Sequence, residues 1–355
     1  MQLFKLLLCI VAGYGAAHIL NIHSIDDYGW YGVLVAALLA AGLYASTFGI
    51  ELAEARKHFK IILSAVTFGV ILKALLVGGV LALAFQDPLF LILGVAVAQI
   101  DPLSVAGLMR GNRLSAKAKT ILASWASFDD PITVVLSLYV PLLVVHYTSL
   151  ESAQGALSTT ATDGLLGFAQ GIGLNLLLAA GVFGVWWLVR RQAKLAAGGA
   201  LVLTGALYVL LAASFSIAVF GFMMLGIALI GLFLRPPKVS AVIDMVIIWA
   251  LRAAAVILGL LLVDGIAWWK GLALGVAAYF GQVLVGFLLT RSLPRQDRWH
   301  IAFAQQNGIT AIILALLFEP AYPGTVAIVA PAIVVINGLH AVMNRLVDRH
   351  IPATL

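Results

Sequence analysis

Asp129 and Asp130 sit side by side, directly before Pro131, in the run AKTILASWASFDDPITVVLSLYVPLLVV (118–145). Apart from the aspartates this run is oily, and it is long enough to cross a bilayer. A single carboxylate at that depth costs about 2.5–3.5 kcal/mol on insertion scales, and such groups mark ion and proton pathways. Adjacent residues on a helix point about 100° apart. One aspartate can therefore hold a transported ion while the other pairs with a fixed cation or polar group. Two carboxyls this close titrate as a coupled unit, which suits competition between a proton and a metal cation for one oxygen.

The other ionisable groups inside apolar runs are Lys73, Asp101 and Arg252, joined by the uncharged Gln99, Gln282, Gln305, Gln306 and Asn307. Such groups must face protein or water rather than lipid. Asp101 precedes Pro102 in LGVAVAQIDPLSVAGLMR, and the missing N–H and ring clash of proline predict a helix break there. HIAFAQQNGITAIILALL carries its QQNG cluster in mid-segment, which predicts a second break at Gly308. Unwound backbone at membrane depth is tolerated only where it lines a cavity, and paired interrupted segments point to a transport site near the midplane. Asp101 can compensate the partial charges of the half-helices that meet there. Only oxygen is on offer for coordination: carboxylates, freed carbonyls, and the Ser104 or Thr133 hydroxyls. Hard alkali cations suit such ligands. One cysteine, Cys9, excludes an internal disulfide and a cysteine metal cluster, and no cofactor is expected.

These groups must be positioned by membrane-spanning helices. The chain has 355 residues, 63% hydrophobic and 10% charged, against about 25% charged in a soluble domain. Twelve apolar segments are expected: 3–20, 29–50, 60–85, 89–109, 118–145, 164–189, 197–213, 215–234, 240–263, 270–290, 300–318 and 324–344. The seventh and eighth meet at Ala213-Ser214. Alternate loops collect Lys5; Arg56, Lys57 and Lys60; Arg110, Arg113, Lys117 and Lys119; Arg190, Arg191 and Lys194; Arg235 and Lys238; Arg291, Arg295 and Arg298; Arg345 and Arg349. That is 18 of the 21 basic residues. The opposite loops hold none, with Lys270 on their border. Short basic loops stay cytoplasmic, so the +6 net charge reads as orientation rather than nucleic-acid binding. Both termini are expected in the cytoplasm of a cell-membrane protein, with residues 1–20 retained and no soluble or nucleotide-binding domain. Trp268, Trp269 and Trp299 fit an aromatic belt, and the seven histidines mostly border loops. His300 and His340 are candidates for tuning a pH response.

With these residues in view, the sequence resembles the monovalent cation:proton antiporter superfamily, the sodium/proton exchangers. AQIDPLSV (98–105) is similar to the T-D-P motif of the broken fourth helix. SFDDPITV (127–134) resembles the double-aspartate motif of the electrogenic branch. GLYASTFGIEL (42–52) resembles the second-helix segment, and RWHIAFAQQNGITAIILALL (298–317) the broken eleventh helix, most like potassium-efflux relatives. The resemblance implies an all-α fold of about twelve helices with an inverted repeat and two broken crossing helices. It divides one transport domain, 1–355, into a moving core (60–145 and 270–344) and a dimerisation scaffold (3–50 and 164–263). It implies alternating access exchanging Na+, Li+ or K+ for protons, with Asp130 as the ion and proton carboxylate and Asp129 paired with a lysine. Asp101, Pro102, Gln306, Asn307 and Gly308 would support the crossing. The partners are monovalent cations, protons, the bilayer and a second copy of the chain.

Two positions depart from that pattern. Ile100 replaces the threonine of T-D-P, and Gln282 stands where a lysine is usual. Lys73, in the segment that is the repeat partner, is the expected substitute cation. Arg252 is the second candidate, unless it pairs with Asp244. The rival functions are a sodium-coupled solute symporter of the same architecture, a channel, and an intramembrane aspartyl protease. The protease needs two carboxylates on one water, and adjacent residues on one helix diverge.

Overall fold

A computed structural model describes residues 2–20, 29–50, 52–101, 108, 114–148, 165–193, 199–237 and 239–350. Among them every regular element is a helix: α1 (Gln2–Leu20), α2 (Trp30–Phe48), α3 (Leu52–Lys57), α4 (Phe59–Phe85), α5 (Leu89–Val97), α6 (Ala116–Thr148), α7 (Leu165–Ala193), α8 (Gly199–Phe220), α9 (Met224–Gly231), α10 (Val239–Leu261), α11 (Trp268–Leu289), α12 (Arg295–Ala302), α13 (Ile309–Phe318) and α14 (Thr325–His350). By length and composition α2, α4, α7, α8, α11 and α14 each contain a stretch able to cross a membrane. Their outward faces carry large apolar side chains such as Leu83, Leu177, Val209 and Phe220, as a lipid-facing surface requires.

The seventh and eighth segments differ from expectation. No boundary falls at Ala213-Ser214. Ser214 Oγ donates to Leu210 O at 2.6 Å, so its polarity is absorbed within α8. The chain turns at 221–223 instead, where Phe222 takes a left-handed φ of 50°, and α9 is only 8 residues long.

Small residues bring helices together where no hydrophobic force separates protein from lipid. Gly78 on α4 and Gly94 on α5 lie so close that a Cβ on Gly94 would stand 2.4 Å from Gly78 N. That contact holds α4, with Lys73 five residues before Gly78, against the end of α5. Gly271 on α11 likewise takes Pro331 of α14 against its backbone. On the other side of the molecule α1 packs on α10, and α9 on α2 and α7. The α4 helix widens into a π-turn at Ala65–Gly69, one turn before Lys73.

Two helices are interrupted. The fourth segment leaves helical geometry after Val97, and residues 98–101 are non-helical. The eleventh stops at Ala302 and resumes at Ile309. The unwound pieces meet. Asp101 N donates to Gln306 O at 3.0 Å. Gln305 Nε2 donates to Val97 O and Gln99 O at 2.9 and 2.8 Å, and Asn307 Nδ2 donates to Val97 O at 3.1 Å. Several backbone groups freed by one break are thus satisfied by the other, as the membrane interior demands.

Candidate functional site

α6 runs unbroken past this crossing and carries both aspartates into it. Pro131, inside α6, offers no N–H to the Ser127 carbonyl one turn back. Ser46 Oγ of α2 approaches that carbonyl at 3.5 Å. Asp129 and Asp130 are 0% and 1% exposed, and they face different neighbours.

Asp129 meets charge. Lys73 Nζ, itself fully buried, lies 3.0 Å from Asp129 Oδ2, and Ile100 N donates to the same oxygen at 2.8 Å. The ammonium also lies over the ring of Trp125, 5.5 Å from its centroid. Asp130 meets neutral donors. Thr310 Oγ1 donates to Asp130 Oδ2 at 3.0 Å. With its amide oriented to satisfy both neighbours, Gln99 donates to Asp130 Oδ1 at 3.1 Å and accepts from Ala311 N at 2.8 Å. Consecutive residues of the unwound segment therefore serve consecutive aspartates: the Gln99 side chain holds Asp130, and the Ile100 backbone holds Asp129.

Asp101 is buried beside them, its carboxyl close enough to act on Asp130 electrostatically. Asn307 N and O form a reciprocal pair with the Asn337 amide of α14, at 3.2 and 2.9 Å. Gly308 is the residue before α13. Pro102 and Ser104 lie outside the described residues. Gln282 is fully buried on α11, its Nε2 3.4 Å from Ile301 O, so this amide is engaged with the backbone of α12. Arg252 stacks on Trp249 of its own helix, 4.8 Å from the ring centroid. That helix, α10, packs on α1, α2, α13 and α14. The side chain of Asp244 lies outside the described residues.

The histidine placement needs correcting. His300 and His340 are buried, at 1% and 7% exposure, rather than at an interface. His340 Nδ1–H donates to Phe303 O at 2.9 Å and Asn344 Nδ2 to the same oxygen at 3.0 Å. They satisfy the first carbonyl of the second break.

Sequence reasoning passed over Thr310. Its signal was its place two residues after Gly308, at the start of a resumed helix. Among the described residues no three His, Cys, Asp or Glu side chains converge as a chelating set. A cation at Asp130 would therefore rest on carboxylate plus neutral oxygens, a donor set suited to a hard monovalent ion.

No family model matches the chain. It is 28% identical to the K+/H+ antiporter NhaP2 of Shewanella sp. (strain MR-4) and to that of Shewanella oneidensis, over 312 residues, 82% of this chain and 52% of those proteins. The chain thus spans about half the length of the curated relatives it matches. Its fold matches the sodium proton antiporter MjNhaP1 of Methanocaldococcus jannaschii with a TM-score of 0.61 at 16% identity, covering 99% of this chain and 98% of that one. In sequence the chain is similar to monovalent cation:proton antiporters, and in fold it is similar to one. Six helices among the described residues are long and apolar enough to cross a bilayer, and together with this similarity they mark a multi-pass membrane protein.

Proposed function

We propose that the protein exchanges a monovalent cation, Na+, Li+ or K+, for protons by alternating access, with Asp130 as the carboxylate that carries one or the other. The observation that carries this reading is the contrast at the crossing. Asp130 is buried with its two oxygens on uncharged donors, while Asp129 is neutralised by Lys73. A carboxylate held by neutral groups can release them to a cation. One already in an ion pair cannot do so without stranding a buried ammonium. Asp129, with Lys73 in place of the ammonium that Gln282 does not supply, fixes the local charge and anchors the unwound Ile100. Asp101 and the Gln305–Asn307 segment hold the crossing together.

The cycle follows from these roles. Deprotonated Asp130 takes the cation from one side of the membrane. The broken-helix unit, 60–145 and 270–344, moves against 3–50 and 164–263, and the cation leaves on the other side as a proton returns. If a net charge crosses per cycle, membrane voltage contributes about 2.3 kcal/mol per charge per 100 mV. The reading includes a homodimer in the cell membrane with cytoplasmic termini.

The test is transport in proteoliposomes carrying an imposed pH gradient. Adding Na+, Li+ or K+ dissipates the gradient for the wild type, and Asp130→Asn abolishes the response. A wild type that answers none of the three ions rejects antiport.

A further inference from the structure

The two oxygens of Asp130 are not equivalent. Oδ1 accepts from the Gln99 amide, whose own oxygen accepts from Ala311 N in the first turn of α13. A backbone N–H can only donate, so Ala311 fixes which end of the amide faces it. The NH2 end is committed to Asp130. Turning the amide over would set N–H against N–H at Ala311 and strand a buried donor. A cation cannot settle against that NH2 group, so the Oδ1 side is closed to it.

Oδ2 is different. Its partner is the Thr310 hydroxyl at 3.0 Å, which carries one donor and two lone pairs on a freely turning bond. Rotating the O–H takes the hydrogen off Oδ2 and directs a lone pair to the same place, with no heavy atom moved. Thr310 is 1% exposed. One turn along α6 from Asp130, the Thr133 hydroxyl is fully buried and has no hydrogen-bond partner among the described residues. A buried hydroxyl left unmatched calls for a ligand, and its oxygen is of the same hard, neutral kind.

We infer that Thr310 Oγ1 is a direct ligand of the transported alkali cation, and that Gln99, locked by Ala311, confines exchange to the Oδ2 side of Asp130. This rests on Asp130 being the exchange carboxylate. As the cation arrives, the proton on Oδ2 leaves for solvent, and Thr310 keeps its own proton and only turns it away. The hydroxyl that Ile100 does not provide on the first broken helix is supplied from the second.

Cation-dependent transport in proteoliposomes, with KM and kcat separated, tests this on the wild type, Thr310→Val, Thr310→Ser, Gln99→Leu and Asp130→Asn. Thr310→Val raises the cation KM about ten-fold, the scale of one bond to a charged group, with a smaller change in kcat. Thr310→Ser, which keeps the hydroxyl, stays within about three-fold of wild type. Gln99→Leu opens Oδ1 and changes the ranking of Li+, Na+ and K+. A wild-type KM in Thr310→Val for every cation moved overturns the inference, as does equal impairment in Thr310→Ser. Should Thr310→Val fold poorly, Thr310→Ala read by cation-dependent heat stability in detergent answers instead, and an unchanged half-maximal cation concentration overturns the inference. Asp130→Asn separates the levels. If it exchanges like the wild type, the underlying reading fails. If it is inert while Thr310→Val keeps its KM, only the ligand assignment fails.

Discussion

Asp129 and Asp130 are the same residue at the same depth on one helix, yet their surroundings have little in common. Asp129 has an ammonium and a backbone amide on one oxygen. Asp130 has a hydroxyl on one oxygen and a carboxamide on the other. The 100° step between adjacent residues turns one carboxylate toward α4 and the other toward the start of α13. One site is built to stay charged and paired. The other is built from donors that can let go. The double-aspartate pattern therefore does not place two equivalent groups: it sets an ion-paired carboxylate beside one held by neutral donors.

The contrast can be attacked at several points. Asp130→Asn removes exchange altogether, measured as cation-driven collapse of a pH gradient, while its heat stability stays near wild type because both neighbours remain hydrogen-bonded. Lys73→Gln leaves Asp129 buried without its counter-ion and destabilises the protein by about 3–5 kcal/mol, read as a fall in the thermal midpoint. It also changes the apparent pH profile of transport, and an unchanged profile would remove Lys73 from the role of missing cation. The double variant Lys73→Gln/Asp129→Asn regains much of that loss, and additivity of the two single effects would show the pair is not coupled. Gly94→Ala sets a methyl group 2.4 Å from Gly78 N and costs about 1–3 kcal/mol, because α4 must move away and draw Lys73 from Asp129. Ile100→Thr is the mildest change. The bond to Asp129 comes from the backbone, so exchange persists within a few-fold of wild type.

Much of the fold could be read from residue types with strong local consequences. Proline after Asp101 and the QQNG cluster each mark a place where a helix cannot continue, and the chain is non-helical at 98–101 and 303–308. A lysine in mid-membrane demands a counter-charge, and with Gln282 standing where a lysine is usual Lys73 becomes the expected substitute; it lies 3.0 Å from Asp129. Hydroxyls carry no such demand. Thr47 and Ser214 each donate to a carbonyl four residues back in their own helix, which makes a threonine in an apolar helix silent in sequence. Thr310 is the exception because α13 has only just begun. No turn of helix precedes it to receive its proton, and it donates to Asp130 instead. Gln99 and His340 were obscure for a related reason. Their partners, Ala311 N and Phe303 O, are backbone groups on either side of the distant second break, and no local pattern announces them. The resemblance to the antiporters supplied the roles, while the departures at Ile100 and Gln282 are met in space by groups on other helices: the hydroxyl of Thr310 stands on Asp130 and the ammonium of Lys73 on Asp129.

The central claim is that one carboxylate trades a proton for a cation and its neighbour does not. Proton release on adding Na+, Li+ or K+ to weakly buffered, detergent-solubilised protein measures this directly. Release is expected from the wild type and from Lys73→Gln/Asp129→Asn, and none from Asp130→Asn. Undiminished release from Asp130→Asn, or its loss only when Asp129 is replaced, would contradict the account.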